Sequence, residues 1–155
     1  KMLHHRGKAK ARNSHARPTS YTAKKANEVC SWDISYLPTS VIGQHFYLYM
    51  IEDIYNRKIV GWGIHYNETG EQAAELLERS VWAEKCLKKD LVLHSDNGAP
   101  MKSLTMRAKM YDLGVVTSRS RTRVSNDNPY SESLFRTVKY HPRWPSEGFK
   151  SLDDA

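Results

Sequence analysis

Cysteine is scarce in this chain: there are two in 155 residues, Cys30 and Cys86, and no CxxC spacing. That excludes a disulfide framework and a zinc knuckle, and leaves both thiols to be read as reduced and structural. No apolar run approaches the roughly 20 residues that cross a bilayer. The basic opening KMLHHRGKAK lacks the apolar stretch of a secretory signal. The expectation is a soluble, cytoplasmic protein with no membrane partner. Acids are nearly missing from residues 1–29, which hold only Glu28 against eight Lys/Arg, whereas the remaining 16 bases and 16 acids cancel. The formal net charge of +7 therefore lies in this arm. A basic Ser/Ala/Pro-containing arm is read as a flexible segment that meets phosphates through counterion release, with Lys8, Lys10 and Arg12 as candidate DNA contacts. A solvated linker without a partner is the plainer alternative.

What is present suffices for one folded domain. Hydrophobic residues make up 39% and charged residues 26%, ordinary values for a globular protein. From Cys30 the pattern changes to that of a sheet. In CSWDISYL, Cys30, Trp32, Ile34 and Tyr36 alternate with Ser31, Asp33, Ser35 and Leu37, the period of a strand. GQHFYLYMIED is a second strand, and YNRK turns into IVGWGIHY, where Val60, Trp62, Ile64 and Tyr66 alternate again. Residues 30–66 thus predict a three-stranded antiparallel meander. Thr69-Gly-Glu-Gln72 is a capping-box pattern opening a helix to about Glu84. LVLH, residues 91–94, reads as a short central strand buried on both faces. Met101, Leu104, Ala108 and Tyr111 predict one further helix stopped by Gly114. VVT is a brief last strand, SRSRTRVSNDNP a loop, and a final helix starting near Pro129 carries Leu134, Phe135 and Val138 on its apolar side. The order implies an α/β mixed sheet with helices on its faces.

Most of the 17 acids need no role beyond solubility. Glu71, Glu75, Glu78 and Glu84 belong to the polar face of the first helix, and Asp53 and Asp112 sit where acids cap or turn. Asp33 differs, because Asp is disfavoured in mid-strand unless something holds it. Asp96 follows the buried strand, where open sheets place ligands and where Asn97-Gly98 makes a tight turn. Glu132 lies in the first turn of the last helix. Asp127 is read instead as part of the turn, with Asn128 as N-cap and Pro129 at the first helical position. Three carboxylates meeting in a cleft repel one another without cations, and oxygen-only ligation suits Mg²⁺ or Mn²⁺. Arg136 and Lys139, four and seven residues past Glu132, share its helix face and are candidate DNA contacts, with a Glu132–Arg136 ion pair as the simpler reading. Arg119, Arg121 and Arg123 alternate beside the site and are further candidates. His94, Trp32 and Trp62 are read first as packing residues.

WDISYL, YLYMIEDIYNRKIVGW, LHSDNG, GVVTSRSRTRVSNDNPYSES and FRTVKY together resemble the catalytic core of bacterial insertion-sequence transposases of the two-reading-frame type, in the retroviral integrase and ribonuclease H-like superfamily. The resemblance runs from about Glu28 to the end. It implies a ribonuclease H-like sheet of three antiparallel and then two parallel strands, a core over 30–155 that is C-terminally truncated, and an arm over 1–29. The family's triad is two aspartates and a glutamate, the last pair separated by 35 residues. Asp96 and Glu132 have 35 residues between them, so Asp33, Asp96 and Glu132 fill the pattern as catalytic residues and as ligands of two Mg²⁺ or Mn²⁺ ions. The implied chemistry is metal-dependent cleavage at transposon ends, freeing a 3′-hydroxyl that attacks target DNA, by a homo-oligomer that uses no small-molecule cofactor and is associated with the nucleoid when bound to DNA. An inactive or domesticated DNA-binding remnant, and an RNA/DNA-hybrid nuclease on the same fold, are the alternatives. His4-His5 without paired cysteines cannot supply the zinc module that precedes retroviral cores.

Overall fold

The computed structural model describes residues 21–96, 98–119 and 129–155. Five strands form one sheet: β1 (Val29–Pro38), β2 (His45–Asp53), β3 (Ile59–His65), β4 (Val92–Ser95) and β5 (Val116–Arg119), in the order β3-β2-β1-β4-β5. β1 pairs antiparallel with β2, and β2 with β3, while β4 runs parallel to both β1 and β5. This is the expected mixed sheet, with the first strand and the short apolar strand adjacent at its centre.

The alternation in β1 divides the interior in two. Cys30 and Trp32 join Tyr49, Ile51 and Leu93 under α1 (Gly70–Ala83), α2 (Ala99–Lys102) and α3 (Leu104–Leu113). Leu37 joins Phe46, Leu48 and Met50 under α4 (Pro129–Lys139), which contributes Phe135. Asp33 is paired with Met50 in the β1–β2 register, so it belongs to the α4 face. Leu134 and Val138 pack against the same cluster, as the sequence predicts. Helices therefore cover both faces.

Three local expectations are corrected. The single helix predicted from Met101 to Leu113 is broken at Ser103, whose hydroxyl caps α3 by accepting from the Met106 N–H at 3.1 Å. Its buried side is Met106, Met110 and Leu113, while Leu104 and Tyr111 are 80% and 88% exposed. The alternation read in β3 is interrupted by a bulge opposite Ile51 and Glu52. Val60 consequently packs on the α1 side and Ile64 on the α4 side. Trp62, read as a core residue, is exposed on this edge strand, whereas Trp32 is buried as expected. The capping box of α1 is half formed. Thr69 accepts from the Gln72 N–H, but the Tyr49 hydroxyl takes the Thr69 N–H at 2.8 Å and meets the Gln72 Oε1 at 3.1 Å. Gly114 ends α3 at φ 71, a left-handed conformation suited to glycine.

Candidate active site

Asp33 and Asp96 line one small cleft of about 170 Å³ beside the middle of β1 and the carboxyl end of β4, together with Trp32, Ile34, Tyr36 and Glu68. The parallel pairing explains their proximity. Trp32 is in register with Ser95, so the residues that follow them, one in the strand and one just past its end, emerge side by side. One Asp33 oxygen accepts the Ile34 N–H at 2.8 Å. One Asp96 oxygen accepts the Gly98 N–H at 2.8 Å, so this acid also shapes its turn. Asp33 is half-buried and Asp96 exposed.

Glu132 approaches from the other side of the chain's topology. It stands exposed in the first turn of α4, directly after Ser131, which is buried and shares a 2.6 Å hydrogen bond with Ser31 of β1. Burial first, and then the negative charges of Asp96 and Glu132, raise the Asp33 carboxyl to about 6 against the opposing Ile34 N–H and Lys139. Three acids from β1, from the end of β4 and from α4 thus act on one point. Among the described residues, no three Asp, Glu, His or Cys side chains form a ready-made metal cage.

The other candidates divide. Lys139 is near enough to ease ionisation of Asp33. Arg136 lies over the Tyr140 ring, 5.8 Å from its centroid, and among the described residues no ion pair links it to Glu132. The Arg119 guanidinium donates to the Met101 carbonyl at 3.3 Å, tying the end of β5 to α2. Lys8, Lys10, Arg12, Arg121, Arg123 and the turn residues Asn97, Asp127 and Asn128 lie outside the described residues. His94 meets the Ser118 hydroxyl at 3.0 Å through Nδ1 across the β4–β5 pair, the packing role expected of it.

Sequence reasoning missed Glu68 and Tyr36 as part of the cleft. Glu68 precedes the N-cap of α1, and its charge is the main reason the Tyr36 phenol is raised. The position just ahead of a capping motif was the available signal, but only the sheet topology places that helix start beside Asp33.

The integrase core domain family matches residues 23–125, a span that includes Asp33 and Asp96 and stops before α4. The transposase of insertion sequence element IS904 from Lactococcus lactis is 28% identical over 123 residues, covering 77% of this chain and 46% of the relative. The InsF transposase of insertion sequence IS3A from Escherichia coli is 26% identical over 119 residues, covering 77% and 40%. The chain thus spans less than half the length of these curated relatives. Among solved structures, the catalytic domain of Mos1 mariner transposase superposes with a TM-score of 0.64 at 12% identity, covering 82% of this chain and 65% of the other. The HTLV-2 integrase catalytic core in complex with magnesium gives 0.54 at 16%, covering 74% and 68%. At such identities the structural likeness speaks for the ribonuclease H-like fold alone. With the family model matching most of its length, the chain belongs to the integrase core domain family.

Proposed function

We propose that this chain is the catalytic core of a bacterial insertion-sequence transposase, a polynucleotidyl transferase that cuts DNA at transposon ends and joins them to a target. Asp33, Asp96 and Glu132 are its catalytic acids, residues 30–155 its core and residues 1–29 its basic arm. The observation that carries this reading is the electrostatic convergence of Asp96 and Glu132 on the half-buried Asp33. Mutual repulsion of this kind costs folding free energy that a divalent cation relieves, and all-oxygen donors suit Mg²⁺ or Mn²⁺. Asp33, at which the charges of both other acids are felt, would hold the ions together with Asp96 and Glu132. Bound ions supply Lewis acidity to the attacking oxygen and to the scissile phosphate.

The protein's own part is positioning. The Ile34 and Gly98 N–H groups each fix one oxygen of Asp33 and Asp96. The exposed carboxylates of Asp96 and Glu132 have room to turn inward when a cation and a phosphate arrive. Lys139 lies on the same side as a counter-charge for the DNA backbone, and the basic arm adds sequence-independent affinity. A homo-oligomer holding two DNA ends is part of the same proposal. The test is cleavage and strand transfer on terminal-repeat DNA by the full-length protein with Mg²⁺ or Mn²⁺. Asp96→Asn and Glu132→Gln should each abolish both steps, and activity surviving either change would refute the triad.

A further inference from the structure

Several contacts converge on the first turn of α4 from one side of the sheet. The Ser31 and Ser131 hydroxyls are 2.6 Å apart and buried. Arg57, in the turn after β2, lays its guanidinium over the Tyr130 ring, 4.6 Å from the centroid. The same Arg57 places Nη1 3.4 Å from Oε1 of Glu52. Glu52 in turn sits opposite Ser31 in the β1–β2 register. Glu52, Arg57 and Ser31 therefore form one patch against residues 130 and 131, immediately before Glu132.

Two features of this patch are poor choices for stability alone. Glu52 is 4% exposed, and its Oε2 has no hydrogen-bond partner among the described residues. A buried carboxylate satisfied on one side only is a cost that a hydrophobic residue of similar size would avoid. Arg57 adopts φ 65, a left-handed conformation that side chains rarely take. It is held there by its N–H bond to the Asp53 carbonyl at 2.9 Å. Asp53 is wholly buried, and its two carboxylate oxygens accept the Tyr55 N–H at 2.8 Å and the Asn27 N–H at 2.7 Å. Strain and an unsatisfied charge thus meet in one pair, and neither residue lines the Asp33–Asp96 cleft. The Arg57 side chain is 48% exposed, so the ion pair itself contributes little to folding. What the arrangement supplies is orientation: a planar cation fixed between a carboxylate and a ring.

We propose that Glu52 and Arg57 form a charged clasp that seats the first turn of α4 on the sheet and thereby sets where Glu132 stands relative to Asp33 and Asp96. They are positioning residues, and the inference rests on the triad reading above. Glu132 belongs to a short helix whose inner side is anchored chiefly by Phe135, one turn further on. Without the clasp, that first turn is free to fray while Phe135 remains packed.

The decisive variant is Arg57→Gly, which removes the guanidinium and also releases the left-handed backbone, so that stability is spared. Amide hydrogen exchange of the metal-free full-length protein should then quicken by about tenfold or more from Tyr130 to Leu134, with β1 and β4 unchanged. The Mn²⁺ concentration for half-maximal DNA cleavage should rise by about ten- to a hundredfold, the usual effect of losing a group that orients a ligand. Tyr130→Ala should behave like Arg57→Gly. Tyr130→Phe keeps the ring and should restore both readouts. The clasp is overturned if Arg57→Gly and Tyr130→Ala leave helix exchange and Mn²⁺ requirement within about twofold of the parent protein, or if exchange quickens equally throughout the sheet. Asp33→Asn separates the two ideas. It should abolish cleavage without quickening α4 exchange. A cleaving Asp33→Asn protein removes the triad and the catalytic purpose of the clasp together.

Discussion

Asp33 and Asp96 stand side by side because β1 and β4 run parallel in register from Val29–Val92 to Trp32–Ser95. The fold brings their like charges together in a cleft half closed to water, where burial and then Asp96 and Glu132 raise the Asp33 carboxyl to about 6. The fold itself thus sets up the electrostatic tension that a cation would release.

That tension predicts a specific pH dependence for the metal-free protein. An acid whose folded proton affinity exceeds its ordinary 3.8 opposes folding when ionised. The penalty is full above pH 6, shrinks as the folded state takes up its proton through about 6, and is gone below the unfolded value. In chelator, Asp33→Asn should therefore be more stable than the parent protein at pH 7 to 8, on the order of 2 kcal/mol. The gap should close as pH falls to 4. Millimolar Mn²⁺ should raise the melting temperature of the parent protein and not that of the variant. Urea midpoints across this pH range provide the measurement, and a gap that widened on acidification would contradict the assignment.

How much of this was legible in the sequence depends on whether the signal was local. The alternation in CSWDISYL set both faces of β1, and it correctly put Asp33 opposite Trp32, because strand periodicity is fixed by the backbone itself. The apolar run LVLH was recognisable as a central strand because a strand buried on both faces is apolar without alternation. The break at Ser103 was not, since Met101, Leu104, Ala108 and Tyr111 form a helical pattern of which the last three turn out to be exposed. A serine can cap a helix or ride within one, and only packing decides which. The bulge in β3, the half-used capping box and the patch around Glu52 depend on partners distant in sequence, such as Tyr49 for Thr69 and Ser131 for Ser31. Glu52 and Asp53 look alike as adjacent acids at a strand end, yet one accepts two N–H bonds and the other is left half satisfied.

Gly61 marks a contact where the sheet and α1 touch without an intervening side chain. A Cβ at this position would overlap the Ser80 hydroxyl and come within 3.2 Å of Leu76 Cδ1. Gly61→Ala should destabilise the protein by about 1 to 3 kcal/mol through overpacking. Removing the hydroxyl with Ser80→Ala relieves the worst overlap, so the double variant should be more stable than the sum of the two single changes by at least about 0.5 kcal/mol. Denaturant midpoints of the four proteins complete the cycle, and strict additivity would mean that the backbone shifts to accommodate the methyl.

The two thiols should be chemically silent in the folded protein. Cys30 and Cys86 are 2% and 4% exposed, and burial pushes both thiols up, with nearby Asp53 and Glu84 adding to the effect. Reactivity requires the thiolate and access to it. A disulfide reagent at pH 8 should label neither residue under native conditions and both in denaturant, a difference that absorbance reports directly.

Glu68 provides a test in which two ligands should respond in opposite directions. It lines the cleft with Asp33 and Asp96, and its charge is felt at Tyr36. If the cleft holds divalent cations, a fourth carboxylate deepens the negative potential that draws them in and equally repels the phosphate backbone. Glu68→Gln keeps the side chain's size and removes only the charge. Mn²⁺ binding, followed by titration calorimetry, should weaken. DNA binding measured without metal should tighten, and the variant should release DNA at a higher salt concentration than the parent protein. A change in which both affinities moved the same way would point to a structural effect at the start of α1, since the next residue, Thr69, is the cap of that helix. Opposed shifts with an unchanged cleavage rate at saturating metal would place Glu68 in the field of the site without making it a ligand, because a ligand's loss should also depress that rate.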